Sequence, residues 1–69
     1  MKPDEMMVNR LAPSVYRIAY NYFGCREDAE DIMQDVIIKM LTSDKEFESE
    51  EHIKSWTIRC TVNECHSLY

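Results

Sequence analysis

The sequence predicts an all-α protein, a compact bundle of three helices, or of four if a short helix precedes the first. Three segments carry apolar residues at the spacing of amphipathic helices. The chain has 69 residues with one Gly and two Pro, so turns are scarce and the elements should be few and long. At this length we expect a single domain, residues 1–69, that buries about 60% of the surface of its unfolded chain.

The first helix is predicted over about residues 8–23. Pro13 falls inside this segment, so either the helix begins there or a preceding turn kinks there. One face of the helix is apolar and a second face is aromatic, so we expect two neighbouring elements to pack against it. The apolar face comprises Val8, Leu11, Ala12, Val15, Ile18, Ala19 and Tyr22, and the aromatic face comprises Tyr16, Tyr20 and Phe23. Gly24 ends the helix, and the short connection that follows should make the next helix an antiparallel neighbour.

The central helix is predicted from Asp28 to Leu41, with acidic residues in its first turn where the helix dipole favours them. Its core-facing stripe comprises Ala29, Ile32, Met33, Val36, Ile37, Met40 and Leu41. A second line of residues follows the opposite face and comprises Asp31, Gln34, Asp35 and Ile38. Ile38 is the apolar member of this line, and a single exposed isoleucine is ordinary on protein surfaces. Because polar residues surround it, Ile38 also fits the centre of a small partner-binding patch. Spacing alone leaves both interpretations open.

A polar loop from Thr42 to Ser49 precedes the third helix, which is predicted from Glu50 to the end of the chain. Phe47 should anchor the loop in the core, and Ser49 suits the helix N-cap. Two apolar sides are expected on this helix, one of Ile53, Trp56, Cys60 and Leu68 and one of Ile58, Val62, Cys65 and Tyr69. Between them lies a polar stripe of His52, Arg59, Asn63 and His66, with Ser55 and Ser67 beside it and Trp56 at its edge. Such a stripe suits single-stranded nucleic acid, but solvated surface helices carry polar stripes as well.

Composition excludes several function classes. The net charge of −5 argues against a general nucleic-acid coat, so any such contact must be local or helped by a partner. No segment resembles a membrane span or a signal peptide, and we expect a cytoplasmic protein without membrane contact. The cysteines Cys25, Cys60 and Cys65 lack metal-site spacing, so we expect free thiols and neither metal nor cofactor. No phosphate loop or nucleophile motif is present, which indicates a binding module rather than an enzyme.

Two blocks, in this order and spacing, are more specific than composition. Ala29 to Asp35 reads Ala-Glu-Asp-x-x-Gln-Asp, and Lys54 to Asn63 reads Lys-x-Trp-x-x-Arg-x-x-x-Asn. The segment Tyr-Arg-Ile-Ala-Tyr-Asn-Tyr-Phe-Gly precedes them. From about Leu11 to Tyr69 the chain resembles region 2 of bacterial RNA polymerase sigma factors of the extracytoplasmic-function group, which implies a helical bundle of the sigma region 2 type.

The resemblance also implies two binding surfaces. The central helix would dock on the clamp helices of the polymerase β′ subunit through Asp31, Gln34 and Asp35, and Ile38 on the same face becomes interfacial. The third helix would engage the non-template single strand of the minus-ten promoter element. The residues implied there are Trp56, Arg59 and Asn63, then Ser67 one turn further and His66, which stands where related sequences often have a basic residue. The loop from Thr42 to Glu51 would correspond to the base-capturing loop of the family.

The chain departs from the family pattern in several places. Thr57 stands where the family usually has Leu, and Cys60 and Thr61 are smaller or less apolar than common choices, so we expect looser packing of the third helix. The loop is also more acidic than DNA contact would suggest. The basic end of region 2 and region 4 are absent before the chain ends at Tyr69, so we expect an excised domain, a truncated gene or a decoy. The alternative function is a sigma-like interaction module that binds an anti-sigma factor or the clamp without touching DNA.

Overall fold

The structure, a computed structural model, describes residues 1–68 of the chain. Within this range it contains three helices and no strand: α1 (Glu5–Phe23), α2 (Arg26–Thr42) and α3 (Glu50–Leu68). The predicted three-helix, all-α bundle is confirmed, and each predicted start lies within three residues of the observed one. The fourth, short N-terminal helix is not found among the described residues, because α1 itself begins at Glu5.

Helix α1 is capped by Asp4, whose carboxylate accepts a hydrogen bond of 2.8 Å from the Met7 amide. The helix runs through Pro13, so the alternative in which it begins at that proline is wrong. Its core face consists of the buried residues Met7, Val8, Val15 and Ala19. The aromatic face is only partly covered: Tyr16 and Phe23 pack against the core, whereas Tyr20 is exposed. Tyr22, which we expected on the core face, is exposed as well.

Gly24 makes the turn between α1 and α2. Its φ of 66° lies in the left-handed region, and its amide donates a 2.7 Å hydrogen bond to the Tyr20 carbonyl, which closes the end of α1. A residue without Cβ adopts this conformation at little cost. Only Gly24 and Cys25 separate the two helices, so α2 folds directly onto α1.

The core side of α2 follows the predicted stripe, with one exception at its end. Four residues of the stripe, Ala29, Ile32, Val36 and Met40, are buried, and Met33 and Ile37 pack partly against them. Leu41, which we expected in the core, is 56% exposed. It lies in the last turn of α2 beside Met40, which is 1% exposed, so the side of the helix decides which of the two residues is buried.

On the first predicted side of α3, Ile53 is buried and Trp56 and Cys60 pack partly against the core; of the described residues on the second side, only Cys65 is buried. Ile53, Thr57, Thr61 and Cys65 repeat every four residues and are all buried. Ile58 and Val62, expected to be apolar core contacts, are exposed. Thr57 and Thr61 are buried, and the looser packing expected there stays a prediction. The expected contacts of the Leu68 side chain and of Tyr69 lie outside the described part of the chain.

The loop between α2 and α3 is held from both directions. Phe47 is 3% exposed, which confirms that it anchors the loop in the core. Ser49 caps α3, because its hydroxyl accepts a 3.2 Å hydrogen bond from the His52 amide. On the other side, the Phe47 amide donates to the Met1 carbonyl at 2.9 Å, and the Met1 ammonium donates to the Phe47 carbonyl at 3.1 Å. The N-terminal segment and the loop therefore pair through their backbones.

Candidate functional site

The first candidate surface lies on α2 and faces solvent. Asp31, Gln34 and Asp35 are exposed, and within residues 1–68 their side chains have no hydrogen bond or ion pair. Ile38 continues the line and is 57% exposed, as predicted. Leu41 follows one turn later, so two large apolar side chains lie beside three free polar ones. We call these five residues the docking face.

Leu41 was missed as a surface residue by the sequence reasoning. Helical spacing places it both at the edge of the core stripe and three residues from Ile38, and spacing alone does not decide between the two positions. The available signal was its position in the last turn, next to the polar loop.

The second candidate surface lies on α3. Arg59, Asn63, His66 and Ser67 are exposed along it, and we call them the α3 polar face. Trp56, at its edge, is half-buried and packs against the core. His66 lies 5.7 Å from the ring of Tyr22 between centroids, so it also contacts the end of α1. From Trp56 to Ser67 the helix rises about 16 Å, so these residues form a track rather than one site.

A pocket of about 120 Å³ lies at the start of this track. We call it the loop pocket, and it is lined by Lys45, His52, Ser55, Trp56 and Arg59. Trp56 and Arg59 were predicted site residues. Lys45 was missed, and His52 and Ser55 were noted only as part of the polar stripe. The spacing of His52, Ser55, Trp56 and Arg59 at i, i+3, i+4 and i+7 was the signal for their common face.

Phe47 contacts three of the residues that line the loop pocket. Its ring meets the His52 ring edge-on at 5.0 Å and the Trp56 ring edge-on at 5.4 Å between centroids. The Lys45 ammonium lies 5.7 Å from the centroid of the same phenyl ring, within the range of a cation–π contact. One buried aromatic side chain therefore positions three of the five residues that line the pocket.

His52 is also fixed by the loop backbone. The Glu48 amide donates a 3.1 Å hydrogen bond to His52 Nδ1. Because Nδ1 accepts this bond, it carries no hydrogen, and Nε2 carries the ring proton. The imidazole is thus held in one tautomer at the rim of the pocket.

The loop carries several acidic side chains, and one of them, Glu46, forms an ion pair with the N-terminus. The Met1 ammonium donates a 2.7 Å hydrogen bond to Glu46 Oε2. This bond and the positive charge of the ammonium lower the pKa of the Glu46 carboxyl. Glu46 is therefore held toward the N-terminal segment.

An ion pair joins the two helices that carry the candidate surfaces. The Lys39 ammonium on α2 bonds to Glu64 Oε1 on α3. Lys39 follows Ile38 of the docking face, and Glu64 follows Asn63 of the α3 polar face. The Glu64 side chain is 18% exposed and that of Lys39 is 52% exposed, so the pair lies at the edge of the surface between the two helices. The docking face and the α3 polar face therefore lie on helices that this ion pair connects.

A larger groove of about 520 Å³ lies between α1 and α2 and shares no residue with the loop pocket. Its lining is mainly apolar and aromatic, with Arg17 as its one charged side chain. No group of three or more His, Cys, Asp or Glu side chains in the described chain is arranged to hold a metal ion. None of the described helices is long and apolar enough to cross a membrane.

Comparison with known families identifies the class of protein that this fold and these surfaces define. The family model of sigma-70 region 2 matches residues 7–69, which is nearly the whole chain. The chain belongs to this family, whose members are domains of transcription initiation factors. Membership implies interaction with RNA polymerase core and promoter DNA in general, and a non-enzymatic role. No curated protein and no solved structure matches the chain.

Proposed function

We propose that this domain binds the β′ clamp helices of RNA polymerase through its docking face and holds the non-template strand of the minus-ten element on α3. The observation that supports the proposal is that the residues implied by the resemblance lie on two separate surfaces of adjoining helices, and that all of them except the half-buried Trp56 are exposed. The docking face comprises Asp31, Gln34, Asp35, Ile38 and Leu41, and the strand would follow the loop pocket and the α3 polar face. On the motifs quoted above, we also assign the domain to the extracytoplasmic-function group and to the cytoplasm.

The docking face has the composition of a small protein interface. Ile38 and Leu41 supply apolar area that binding would remove from water, and carboxylates flank them. Asp31 and Asp35 favour a partner helix with basic residues and set its register. Because neither carboxylate is paired within the described chain, docking breaks no internal ion pair.

Strand capture would be a binding step without catalysis. Turning a base out of the duplex stack costs a few kcal/mol. Stacking on a side chain such as Trp56 returns about 1–3 kcal/mol per base. With a net charge of −5 the domain has little attraction for phosphate, so the polymerase must hold it at the DNA.

Calorimetric titration with a β′ clamp-helix fragment tests the docking half of the proposal. Asp35→Lys places a like charge against a basic partner, and Ile38→Asp removes the apolar centre, so each should weaken binding at least about tenfold. The control Glu51→Lys, on α3, changes the net charge by the same amount as Asp35→Lys and should bind the fragment as tightly as the parent domain does. Unchanged affinity in both docking-face variants, with their helicity intact, would show that the docking face does not bind the clamp helices.

A second candidate function is an interaction module that binds the clamp or an anti-sigma factor without DNA contact. The observation in its favour is the set of exposed acidic side chains in the loop and the first turn of α3, Glu46, Glu48, Glu50 and Glu51, which repel phosphate. The two functions differ in whether the docked domain binds single-stranded DNA. Titration of core polymerase carrying this domain with a fluorescein-labelled single strand distinguishes them, because only the first function predicts binding that depends on the domain.

A further inference from the structure

We propose that the groove between α1 and α2 binds a small aromatic carboxylate, a flat ring that carries an anionic group and a hydrogen-bond donor. We call it the α1–α2 groove, and it is lined by Asn9, Ala12, Pro13, Tyr16, Arg17, Tyr20 and Met33. None of these residues belongs to the docking face, the loop pocket or the α3 polar face. The proposal therefore goes beyond clamp docking and strand capture and depends on neither.

The size of the groove suits a small molecule better than a protein partner. Its volume of about 520 Å³ lies within the range of about 300–1,000 Å³ found for small-ligand sites. From Asn9 to Tyr20 it follows α1 for about 16 Å, roughly three helical turns. Seven residues line it, whereas a stable protein interface uses roughly 20–30 residues on each side. The groove by itself therefore accommodates one small ligand.

Two tyrosines provide an aromatic wall for a flat ring. Tyr16 and Tyr20 are one turn apart on α1, and their rings stack with centroids 6.0 Å apart and planes inclined by 21°. Tyr16 packs against the core, whereas Tyr20 is 45% exposed and leaves ring surface for a ligand. Met33, on α2, adds a flexible thioether, which adapts readily to an aromatic ring. The lining therefore favours a ligand with an aromatic ring.

The charge of the ligand follows from Arg17. Of the 13 acidic residues of the chain, none lines the groove, and Arg17 is its only charged side chain. Arg10 and Arg26 form ion pairs with glutamates, but within residues 1–68 the Arg17 side chain has neither an ion pair nor a hydrogen bond. A guanidinium binds a carboxylate through two parallel N–H···O bonds. Because Tyr20 lies one turn after Arg17, a ring on Tyr20 can place its carboxylate at this guanidinium.

Pro13 gives the reason for a hydrogen-bond donor on the ligand. In a regular helix the amide of residue 13 donates to the carbonyl of Asn9, but proline has no amide hydrogen. This helical bond is therefore missing from α1, one turn before Arg17. Asn9 also contributes a side-chain oxygen to the lining. An N–H group of the ligand can donate to either oxygen while the carboxylate pairs with Arg17.

The test titrates the full, ¹⁵N-labelled chain with N-acetyl-L-tryptophan, which carries an indole ring, a carboxylate and an amide N–H. Chemical shifts in NMR spectra report both the affinity and the residues that respond. We expect a Kd of about 0.1–1 mM for a ligand of this size, with the largest shifts at amides of the groove. N-acetyl-L-tryptophanamide has the same ring without the charge and should bind about fivefold more weakly. Indole-3-propionate keeps the ring and the charge but lacks the amide, and it should also bind more weakly.

Matched variants assign the binding to single side chains. Arg17→Gln removes the charge and should weaken binding of N-acetyl-L-tryptophan about fivefold, to the level of the uncharged amide. Tyr20→Ala removes the exposed ring and should weaken both ligands alike. The control Lys54→Gln removes a positive charge from an exposed position on α3 and should keep the affinity and the preference for the carboxylate.

Four outcomes would overturn the proposal, and each leaves clamp docking and strand capture standing. Equal affinity for the two tryptophan derivatives would exclude an anionic ligand. Shifts confined to the loop pocket would show that Lys45 and Arg59, rather than Arg17, attract the carboxylate. No saturable binding at concentrations above the expected Kd would exclude this class of ligand. Groove shifts caused by core polymerase but not by N-acetyl-L-tryptophan would assign the groove to a protein contact.

Discussion

At the scale of single residues, α3 buries hydroxyl groups where hydrocarbon is more usual. The Thr57 hydroxyl donates to the Ile53 carbonyl at 2.7 Å, and the Thr61 hydroxyl donates to the Thr57 carbonyl at 2.8 Å. Each hydroxyl thus finds an acceptor one turn back on its own helix. No buried side-chain nitrogen or oxygen of the described residues lacks a partner. The two threonines are therefore satisfied core residues.

Thr57 offers a test of this packing. Leucine is larger than threonine, and Thr57 is only 1% exposed, so Thr57→Leu should destabilise the domain by about 1–3 kcal/mol through overpacking. Thr57→Val keeps the shape and removes a hydroxyl whose acceptor is a helical carbonyl, so its effect should stay within about 1 kcal/mol. Urea unfolding followed by circular dichroism measures both. A Thr57→Leu variant as stable as the parent would mean that this position is loosely packed.

At the scale of elements, the helix junction at Gly24 determines how α1 and α2 meet. The backbone is left-handed there, and a Cβ built on Gly24 meets nothing within 4 Å. Any cost of substitution is therefore backbone strain rather than collision. The same junction carries the hydrogen bond from the Gly24 amide that ends α1.

Gly24→Ala should therefore destabilise the domain by about 1–2 kcal/mol, the cost of the left-handed conformation for a residue with a Cβ. Gly24→Asn is the matched variant and should cost less, because asparagine tolerates this conformation better. Thermal unfolding of the three proteins measures the order. Equal losses in the two variants would contradict the assignment of the cost to the backbone.

At the scale of the whole molecule, contacts distant in sequence place the loop pocket and couple the helices. The Met1 segment pairs with the loop across about 46 positions of the chain, and Lys39 bonds to Glu64 between α2 and α3. Arg10 of α1 and Glu50, the first residue of α3, add an ion pair of 3.5 Å between these helices. These links connect the segments that carry the candidate surfaces.

The Met1–Glu46 pair makes a prediction about pH. The folded state lowers the pKa of Glu46, so the pair stabilises the domain above the unfolded-state pKa of this carboxyl. That contribution disappears as the pH falls through the lowered, folded-state pKa. Titration of the Glu46 carboxyl by NMR should give a lower midpoint in the free-amine chain than in a chain acetylated at Met1. The same midpoint in both chains would exclude the ammonium as the cause.

The sequence by itself determined the three helices, their approximate ends, the family and the exposed line from Asp31 to Ile38. Helical periodicity, capping residues and two spaced motifs are local, so they can be recognised without knowing what packs where. The loop anchor Phe47 was recognisable for a similar reason, as the only large apolar residue in a polar segment.

Only the tertiary structure decided which side of α3 is buried. Apolar residues occur on several sides of that helix, and periodicity gives their relative angles without saying where α1 and α2 lie. The packing placed the Ile53–Cys65 line inside, with Thr57 and Thr61, and left Ile58 and Val62 in water. The loop pocket also needed the fold, because Lys45 reaches the α3 residues only when Phe47 is buried and the loop turns back. A site built from two segments depends on how the chain folds between them. Helical periodicity describes each helix alone and does not predict that fold.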